Sequence, residues 1–377
     1  MPPRFWRHID WFLLGLVLVA VAMGLVVVLG ASGSGIHAPL VQYYAKRQVL
    51  DLVAGTITLA LCIRIDYHAW TRWSGVLYAF VVFLLVVVFV IGHRQLGGQR
   101  WISVGGFDMQ PSEFAKLAVI FILARHLAGK AGVLRKWRHL ITPTALAALP
   151  AGLIVLEPDL GTSLVFVAIL LGVLFAAGFP GWRLTAGTAL VVALAVGAVI
   201  AHLRWGTPLP LHAYQLDRLI AFVNPQKYAQ TAGWQVLQSE LAVGSGRLHG
   251  TGLFSGGVNG QLNALSETQT DFVFASVGNM AGFLGGVAVL AVLGLIFWRA
   301  LAAMAMAGDA EGALIAGGIA AVLGFQILLN VGVTLGLLPV TGIPLPFVSY
   351  SGSATVVNFA SIGILQSIRV RHKRIQF

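Results

Sequence analysis

The fold is decided by a stretch near the N-terminus, residues 11–31, which reads WFLLGLVLVAVAMGLVVVLGA. It contains no charged residue and is long enough to cross a bilayer as an α-helix, which takes about 20 apolar residues. The stretch is also longer than the apolar segment of a typical secretory signal peptide. We therefore interpret it as an uncleaved first transmembrane helix.

The rest of the chain has the same character. Of its 377 residues, 58% are hydrophobic and only 10% are charged, whereas a soluble domain carries about 25% charged residues. A mean hydropathy of +0.87 means more apolar surface than a soluble core could bury. Residues 1–377 are therefore predicted to form a single membrane domain. The only cysteine, Cys62, lies in an apolar stretch, which excludes a disulfide framework and a thiolate metal site.

Further apolar stretches of this kind predict about ten transmembrane helices in all. They lie near residues 11–31, 48–66, 74–92, 112–128, 141–156, 160–178, 183–203, 271–298, 312–338 and 350–369. The predicted fold class is an all-α polytopic membrane protein with a long extracellular loop that carries short amphipathic helices.

The distribution of lysine and arginine predicts how the chain is oriented, because short cytoplasmic loops are enriched in both residues. With the N-terminus inside, the inner loops and the C-terminal tail hold most of the basic residues, including Arg299 and Arg369. The short outer loops hold only Lys46, Arg47, Arg94 and Arg100. Both termini are therefore predicted to be cytoplasmic. The net charge of +11 is mainly a consequence of this topology, so we expect no nucleic-acid partner.

Residues 204–270 lie between the seventh and eighth predicted helices and form the extracellular loop, which is far longer than a typical connection. Two parts of this loop have apolar residues at helical spacing and predict amphipathic helices on the outer membrane surface. They are Leu216, Leu219, Ile220 and Val223 in the first part and Trp234, Leu237 and Leu241 in the second. A glycine-rich run, Gly244–Gly252, follows them.

Ionisable residues in or beside membrane helices are costly, which makes each of them a candidate for function. Glu113 and Lys116 lie three residues apart and share one face of a helix that begins at Pro111. They either serve a substrate or form an ion pair that only lets two charges enter the membrane. Arg100 either binds phosphate through its planar guanidinium or anchors the chain at the interface together with Trp101.

Two aspartates complete the set of candidates. Asp159 and Asp271 each stand at the start of a predicted membrane helix, and each could act as its N-cap. The predicted topology places both near the outer leaflet, at the depth of Arg100, Glu113 and Lys116. Basic side chains close to carboxylates suit a substrate that carries phosphate and reacts with the help of a general base.

Several motifs together resemble the SEDS family (shape, elongation, division and sporulation). They follow the family's order and spacing over almost the whole chain. The matching stretches are Arg100–Ile102, Gln110–Lys116, Pro158–Thr162, Gln238–Gly246, Thr270–Phe272 and Leu338–Tyr350. Two further stretches, Asp10–Trp11 and Gln261–Asn263, look more like the RodA branch of the family than the FtsW branch.

The resemblance implies a peptidoglycan glycosyltransferase of the bacterial plasma membrane that polymerises lipid II during cell elongation and shape maintenance. The family's essential aspartate falls on Asp271 as the catalytic residue, and its substrate-binding charges fall on Arg100, Glu113, Lys116 and Asp159. The implied partners are lipid II, membrane lipid and a class B penicillin-binding protein, which is a transpeptidase. The cofactor considered is a divalent cation, Mg²⁺ or Mn²⁺, whose ligands the sequence does not identify. No organic cofactor is expected.

The chain departs from the family pattern at several positions. Gln269 stands where histidine is common, Thr251 where lysine is frequent and Ser351 where glycine is frequent. Asn279 and Met280 stand where acidic residues usually follow the aspartate motif. Because Asp271 is retained, we expect activity, with an altered dependence on metal as an open question.

Two other functions compete with polymerisation. The first is a flippase or transporter for a lipid-linked precursor, which needs a polar path at the membrane midplane and at both faces. The candidate residues instead cluster at the outer face. The second is a non-catalytic scaffold for a transpeptidase, and the departures at Asn279 and Met280 keep this alternative open.

Overall fold

The computed structural model describes residues 8–31, 39–95, 98–104, 107–130, 137–208, 213–230, 233–252 and 269–371. Within these ranges the chain forms thirteen α-helices and three short strands. The helices are α1 (Trp11–Ala31), α2 (Pro39–Arg64), α3 (Tyr67–Arg72), α4 (Ser74–Ile91), α5 (Pro111–Ala128), α6 (Ile141–Leu156), α7 (Leu160–Ala176), α8 (Gly181–Trp205), α9 (Ala213–Val223), α10 (Trp234–Ser245), α11 (Val273–Ala305), α12 (Ala310–Thr334) and α13 (Gly352–Arg371). The strands β1 (His93–Gln95), β2 (Gly98–Val104) and β3 (Phe107–Met109) pair in that order as an antiparallel sheet.

Each of the ten predicted transmembrane segments coincides with one of these helices, and α3, α9 and α10 are the described helices outside that set. Five of the ten, α1, α4, α8, α11 and α12, are long and apolar enough to cross a membrane. Helices α6 and α7 are apolar but shorter, with 16 and 17 residues. Helices α2, α5 and α13 carry polar side chains that are buried inside the bundle. The predicted all-α multi-pass membrane fold is confirmed.

Three local features were not predicted. Helix α2 begins at Pro39 rather than near residue 48. The six-residue helix α3 is too short for a periodic pattern, and Asp66 caps it by accepting a hydrogen bond from the backbone N–H of His68. The small sheet joins α4 to α5 through strands that are short and largely polar, so they lack the alternating pattern of a half-buried strand.

Helix α12 lies at the centre of the bundle, where small residues allow its neighbours to approach closely. A Cβ atom on Gly317 would lie 2.6 Å from Cβ of Ala176 on α7, and one on Gly318 would lie 2.9 Å from the side chain of Ile120 on α5. Such close approach through small residues is typical of helix packing in membranes. Helix α8, in contrast, lies at the edge, and none of its side chains whose burial is described is buried.

Helix α11 is interrupted at Gly282, whose φ of 65° and ψ of −161° break the helical path. The glycine-rich run 244–252 lies along this break and satisfies its backbone groups. The N–H of Thr251 donates to the carbonyl of Asn279 at 2.9 Å, and the N–H of Phe283 donates to the carbonyl of Arg247 at 2.8 Å. A Cβ atom on Gly250 would lie 2.1 Å from the carbonyl oxygen of Met280, which explains the glycine there.

The bundle has two ends, which we name after one residue each. The Asp271 end holds the sheet, the α6–α7 corner, the start of α11 and the α12–α13 loop (residues 335–351). The Asp10 end holds the start of α1, α3, the end of α11 and the end of α13.

Candidate active site

Asp271 lies two residues before the first residue of α11, and its backbone is held in place by α12. The N-cap position of α11 is Phe272 rather than Asp271. The side chain of Asn330, which is 1% exposed, donates from Nδ2 to the carbonyl oxygens of Asp271 and Ile343, both at 2.8 Å. This amide therefore ties the start of α11 to the α12–α13 loop.

The same loop touches Asp271 and the two residues before it. Ser349 Oγ donates to the carbonyl of Thr270 at 2.5 Å, and the N–H of Tyr350 donates to the carbonyl of Gln269 at 2.9 Å. A Cβ atom on Gly342, whose φ is +74°, would lie 3.4 Å from Oδ2 of Asp271. The carboxylate of Asp271 thus lies against a glycine, with its backbone fixed on both sides.

Arg100 extends from β2 to the α6–α7 corner. Its Nη1 lies 3.4 Å from Oδ2 of Asp159, its Nε donates to the carbonyl of Glu157 at 3.0 Å, and its Nη2 donates to the carbonyl of Pro158. The Arg100 side chain remains 23% exposed. Arg100 therefore binds the α6–α7 corner, and part of its guanidinium remains accessible to solvent.

Asp159 serves two partners at once. It is the N-cap of α7, because Oδ1 accepts from the N–H of Thr162 at 3.0 Å and Oδ2 accepts from Thr162 Oγ1 at 2.9 Å. It is also the ion-pair partner of Arg100 and is only 4% exposed. The N-cap interpretation of this residue is therefore confirmed, and a role in substrate binding stays a prediction.

Glu113 and Lys116 form a deeply buried ion pair in the first turns of α5. The distance from Lys116 Nζ to the carboxylate of Glu113 is 2.7 Å, and the two side chains are 2% and 3% exposed. The predicted interaction between them is present. The pair connects to the Asp271 region through Gln110, whose N–H donates to Ser353 Oγ at 3.0 Å at the start of α13.

The α12–α13 loop brings Asp159 and Asp271 together. A Cβ atom on Gly161, in the first turn of α7, would lie 2.2 Å from the carbonyl oxygen of Thr341. The next residue, Gly342, faces the carboxylate of Asp271. Residues 341 and 342 therefore lie between the first turn of α7, which Asp159 caps, and Asp271, whereas Glu113 and Lys116 lie on α5.

Two buried acids at the Asp271 end were missed by the sequence analysis. Glu157 is 2% exposed, and its Oε1 has no hydrogen-bond partner among the described residues. The pKa of Glu157 is raised to about 8, mainly by burial and also by the negative charge of Asp159, against the opposing effect of Arg100. Asp51, on α2, is 7% exposed. Both could have been found by applying the cost of membrane charges to every acid in or beside a span.

At the Asp10 end, two arginines interpreted as topological signals have specific partners. Asp10, 4% exposed, accepts from Arg299 Nε at 2.8 Å and also from Arg369. The side chain of Gln366 binds the backbone N–H and carbonyl of the same residue at 2.8 and 3.0 Å. These arginines therefore hold the bundle together, in addition to the topological role that the sequence predicts for them.

Two positions that depart from the family pattern are in contact with each other. Thr251 Oγ1 donates to Oδ1 of Asn279 at 3.2 Å, and Asn279 is fully buried. The amide of Asn279 also donates to Ser245 Oγ at 2.6 Å and to the carbonyl of Ala242 at 3.3 Å. Neutral hydrogen bonds thus occupy the place where the resemblance implied a lysine and an acid.

The described residues do not form a metal site made by the protein alone. No group of three or more histidine, cysteine, aspartate or glutamate side chains among them could hold an ion. The expected dependence on Mg²⁺ or Mn²⁺ stays a prediction.

Together, the long apolar helices and the buried ion pairs beside Asp271 define a multi-pass membrane protein with a candidate catalytic carboxylate at one end of its bundle. The sequence profile of the FtsW/RodA/SpoVE family, described as cell cycle protein, matches residues 10–374. The chain belongs to this family, and the predicted resemblance is confirmed.

Curated relatives match over nearly the full length. The chain is 34% identical to stage V sporulation protein E of Bacillus subtilis, covering 95% of this chain and 96% of the relative. It is 32% identical to peptidoglycan glycosyltransferase MrdB of Escherichia coli, covering 98% and 96%. Because the two identities are so similar, the assignment to the RodA branch stays a prediction.

Solved structures agree with this family assignment. One chain from a structure described as "Structural coordination of polymerization and crosslinking by a peptidoglycan synthase complex" matches with a TM-score of 0.79 at 28% identity, covering 97% of this chain and 99% of that one. The rod shape determining protein RodA of Thermus thermophilus matches with a TM-score of 0.70 at 28% identity, covering 97% of each chain.

Proposed function

We propose that this protein is a peptidoglycan glycosyltransferase that polymerises lipid II on the outer face of the bacterial plasma membrane, with both termini in the cytoplasm. The observation that carries the proposal is the carboxylate of Asp271, which lies against Gly342 on a backbone fixed by Asn330 and Ser349. Relatives named peptidoglycan glycosyltransferase, such as MrdB of Escherichia coli, support the same activity.

The proposed reaction is a single displacement that inverts the anomeric centre. A sugar 4-hydroxyl of one lipid II attacks the α-linked anomeric carbon of another, forming a new carbon–oxygen bond. The bond to the lipid pyrophosphate breaks, and the leaving group departs with the electron pair. Asp271 accepts the proton of the attacking hydroxyl, which requires direct hydrogen-bond reach. Its anchored backbone orients the carboxylate before the substrate arrives.

In this proposal the remaining candidates stabilise the bound substrate, Arg100 by direct contact and the buried Glu113–Lys116 pair through its charges. Lys116 is paired with Glu113 and Arg100 with Asp159, so neither cation brings an uncompensated charge to the site. Only Arg100 is partly exposed, which makes its outward N–H groups the better donors to a pyrophosphate. Lys116 and Glu113 do not contact the substrate in this proposal. Their buried ion pair acts on the site as a fixed dipole.

Lipid and protein partners follow from two further features. Helix α8 exposes apolar side chains, for example Leu190 at 61% and Val191 at 66%, and we propose that a polyprenyl tail lies against this helix. The structural neighbour described as a complex that coordinates polymerization and crosslinking supports a transpeptidase partner, and we propose a class B penicillin-binding protein.

The test is polymerisation of purified lipid II by the purified protein with its transpeptidase partner. Asp271→Asn keeps the size of the side chain but removes the base, so the rate should fall about a hundred- to ten-thousand-fold. Asp217→Asn changes an exposed acid on α9 in the same way and should leave the rate unchanged. Near-normal glycan synthesis by a well-folded Asp271→Asn protein would contradict the proposed role of Asp271 as the catalytic base. The scaffold and flippase functions would then be the remaining alternatives.

A further inference from the structure

Asp51 is a buried acid at the Asp271 end that the proposed reaction does not use. It lies on α2, within a predicted membrane span, and is only 7% exposed. Among the described residues, its carboxylate makes no direct hydrogen bond or salt bridge. The nearest opposite charge is Arg47, one turn earlier on α2, which lies 3.8 Å from Asp108 of β3. A carboxylate in this position is costly, so its presence requires an explanation.

The Asp51 carboxylate faces the first residue of α13. A Cβ atom on Gly352 would lie 3.0 Å from Oδ1 and 3.3 Å from Oδ2 of Asp51, so the acid occupies the space that any larger side chain would need. The start of a helix carries a partial positive charge from its unpaired N–H groups, and a carboxylate beside it is stabilised. The start of the 20-residue helix α13 therefore adds to the compensation of the Asp51 charge that Arg47 provides.

The start of α13 is in turn connected to the candidate active site. Ser349 and Tyr350, just before this helix, bind the carbonyls of Thr270 and Gln269, which precede Asp271. On the other side, Ser353 Oγ donates to the carbonyl of Asp108 at 3.2 Å. Residues 349–353 therefore form a junction between Asp51 and the backbone of the catalytic carboxylate.

We propose that Asp51 is a positioning residue whose negative charge fixes the start of α13 and, through Ser349 and Tyr350, the backbone that carries Asp271. This inference rests on the proposed function. Asparagine would fill the same space without the charge, so the interaction with the helix start is what the acid adds.

The experiment compares Asp51→Asn, Gly352→Ala and the double variant in the complex with the transpeptidase partner, using lipid II as substrate. Gly352→Ala keeps the acid but pushes its carboxylate away from the helix start. Each single variant should lower kcat about three- to tenfold with little change in KM. The double variant should be no worse than either single variant, since both remove one interaction. The exposed Asp217→Asn serves as the matched control.

Amide hydrogen exchange gives a second readout that does not depend on activity. Residues 269–272 and 349–353 should exchange faster in Asp51→Asn and in Gly352→Ala than in the wild type. Unchanged kcat and exchange in Asp51→Asn, or losses that add up in the double variant, would overturn the proposal. If Asp271→Asn still polymerises lipid II, the proposed function fails, while the exchange data still decide whether Asp51 holds this backbone.

Discussion

Several buried charges among the described residues are neutralised by partners, some of them from distant parts of the chain. Lys116 pairs with Glu113 on its own helix, and Asp10 pairs with Arg299 and Arg369. Such pairing is expected, because a buried charge without a partner is strongly destabilising. Glu157 differs, since burial raises the pKa of its carboxyl to about 8 and its Oε1 has no partner among the residues described.

Glu157 should therefore make stability depend on pH. Its pKa in the folded protein is raised from 4.5 to about 8, so the folded protein holds this proton more tightly than the unfolded chain. The protonated carboxyl of Glu157 contributes its full stabilisation below pH 4.5, and this stabilisation is lost as the pH rises through about 8. Glu157→Gln mimics the protonated form, so its Tm in detergent should match the wild type near pH 4.5 and exceed it above pH 8. A Tm difference that does not change with pH would contradict this prediction.

The contact between Thr251 and Asn279 leads to a second prediction at this scale. Asn279→Glu places an unpaired charge in a fully buried site beside the carbonyl of Ala242, and should destabilise the fold by about 3–5 kcal/mol. Thr251→Lys in the same protein supplies an opposite charge at the neighbouring position and should recover part of that loss. A double-mutant cycle measured by thermal unfolding tests this coupling. Strictly additive effects would mean that the two side chains act independently.

At the level of elements, the break in α11 depends on one glycine. Gly282 has a φ of +65°, and a Cβ atom there would lie 2.4 Å from the backbone nitrogen of Gly250. Gly282→Ala should therefore cost about 1–3 kcal/mol from backbone strain alone, in addition to the steric clash. Gly294 on the same helix has no atom within 4 Å of such a Cβ, so Gly294→Ala should be neutral or slightly stabilising. Equal Tm values for the two variants would show that the glycine-rich run does not constrain the break.

The ten long helices could be predicted because a bilayer demands continuous apolar segments, and these are visible in the sequence. The prediction failed where the determining interactions are local and polar. The sheet that carries Arg100 consists of short strands. The interruption at Gly282 is compensated by residues 244–252, some 30 positions away, which the hydropathy pattern does not reveal.

The charged members of the candidate site could also be predicted, because ionisable residues stand out in apolar surroundings. Their arrangement could not. The contact of Asp271 with Gly342 and the hydrogen bonds from Asn330 join segments that are far apart in the sequence. The dual role of Asp159 depends on Arg100 reaching it from a sheet that was not expected.

For the whole molecule, the predicted orientation is the most consequential untested property, because it decides in which compartment Asp271 lies. The sole cysteine, Cys62, is buried, which gives a low background for labelling single introduced cysteines. A cysteine placed in residues 226–230 should react in intact cells with a reagent that cannot cross the membrane. The matching cysteine at exposed Ala310, the first residue of α12, should react only after the cells are opened. The reverse pattern would place Asp271 on the cytoplasmic side.

The cluster around Asp10 has a consequence for biosynthesis. Asp10 stands near the beginning of the chain, while its partners Arg299, Gln366 and Arg369 belong to the end of α11 and to α13. A ribosome makes the acid first and its partners last. Asp10 can complete its set of partners only after α13 has been synthesised, so the final packing of the start of α1 waits for the end of translation. The contacts around Asp10 are complete only when synthesis is finished. A truncated chain that ends before α13 therefore lacks the hydrogen bonds and the ion pair that join the start of α1 to the end of α13.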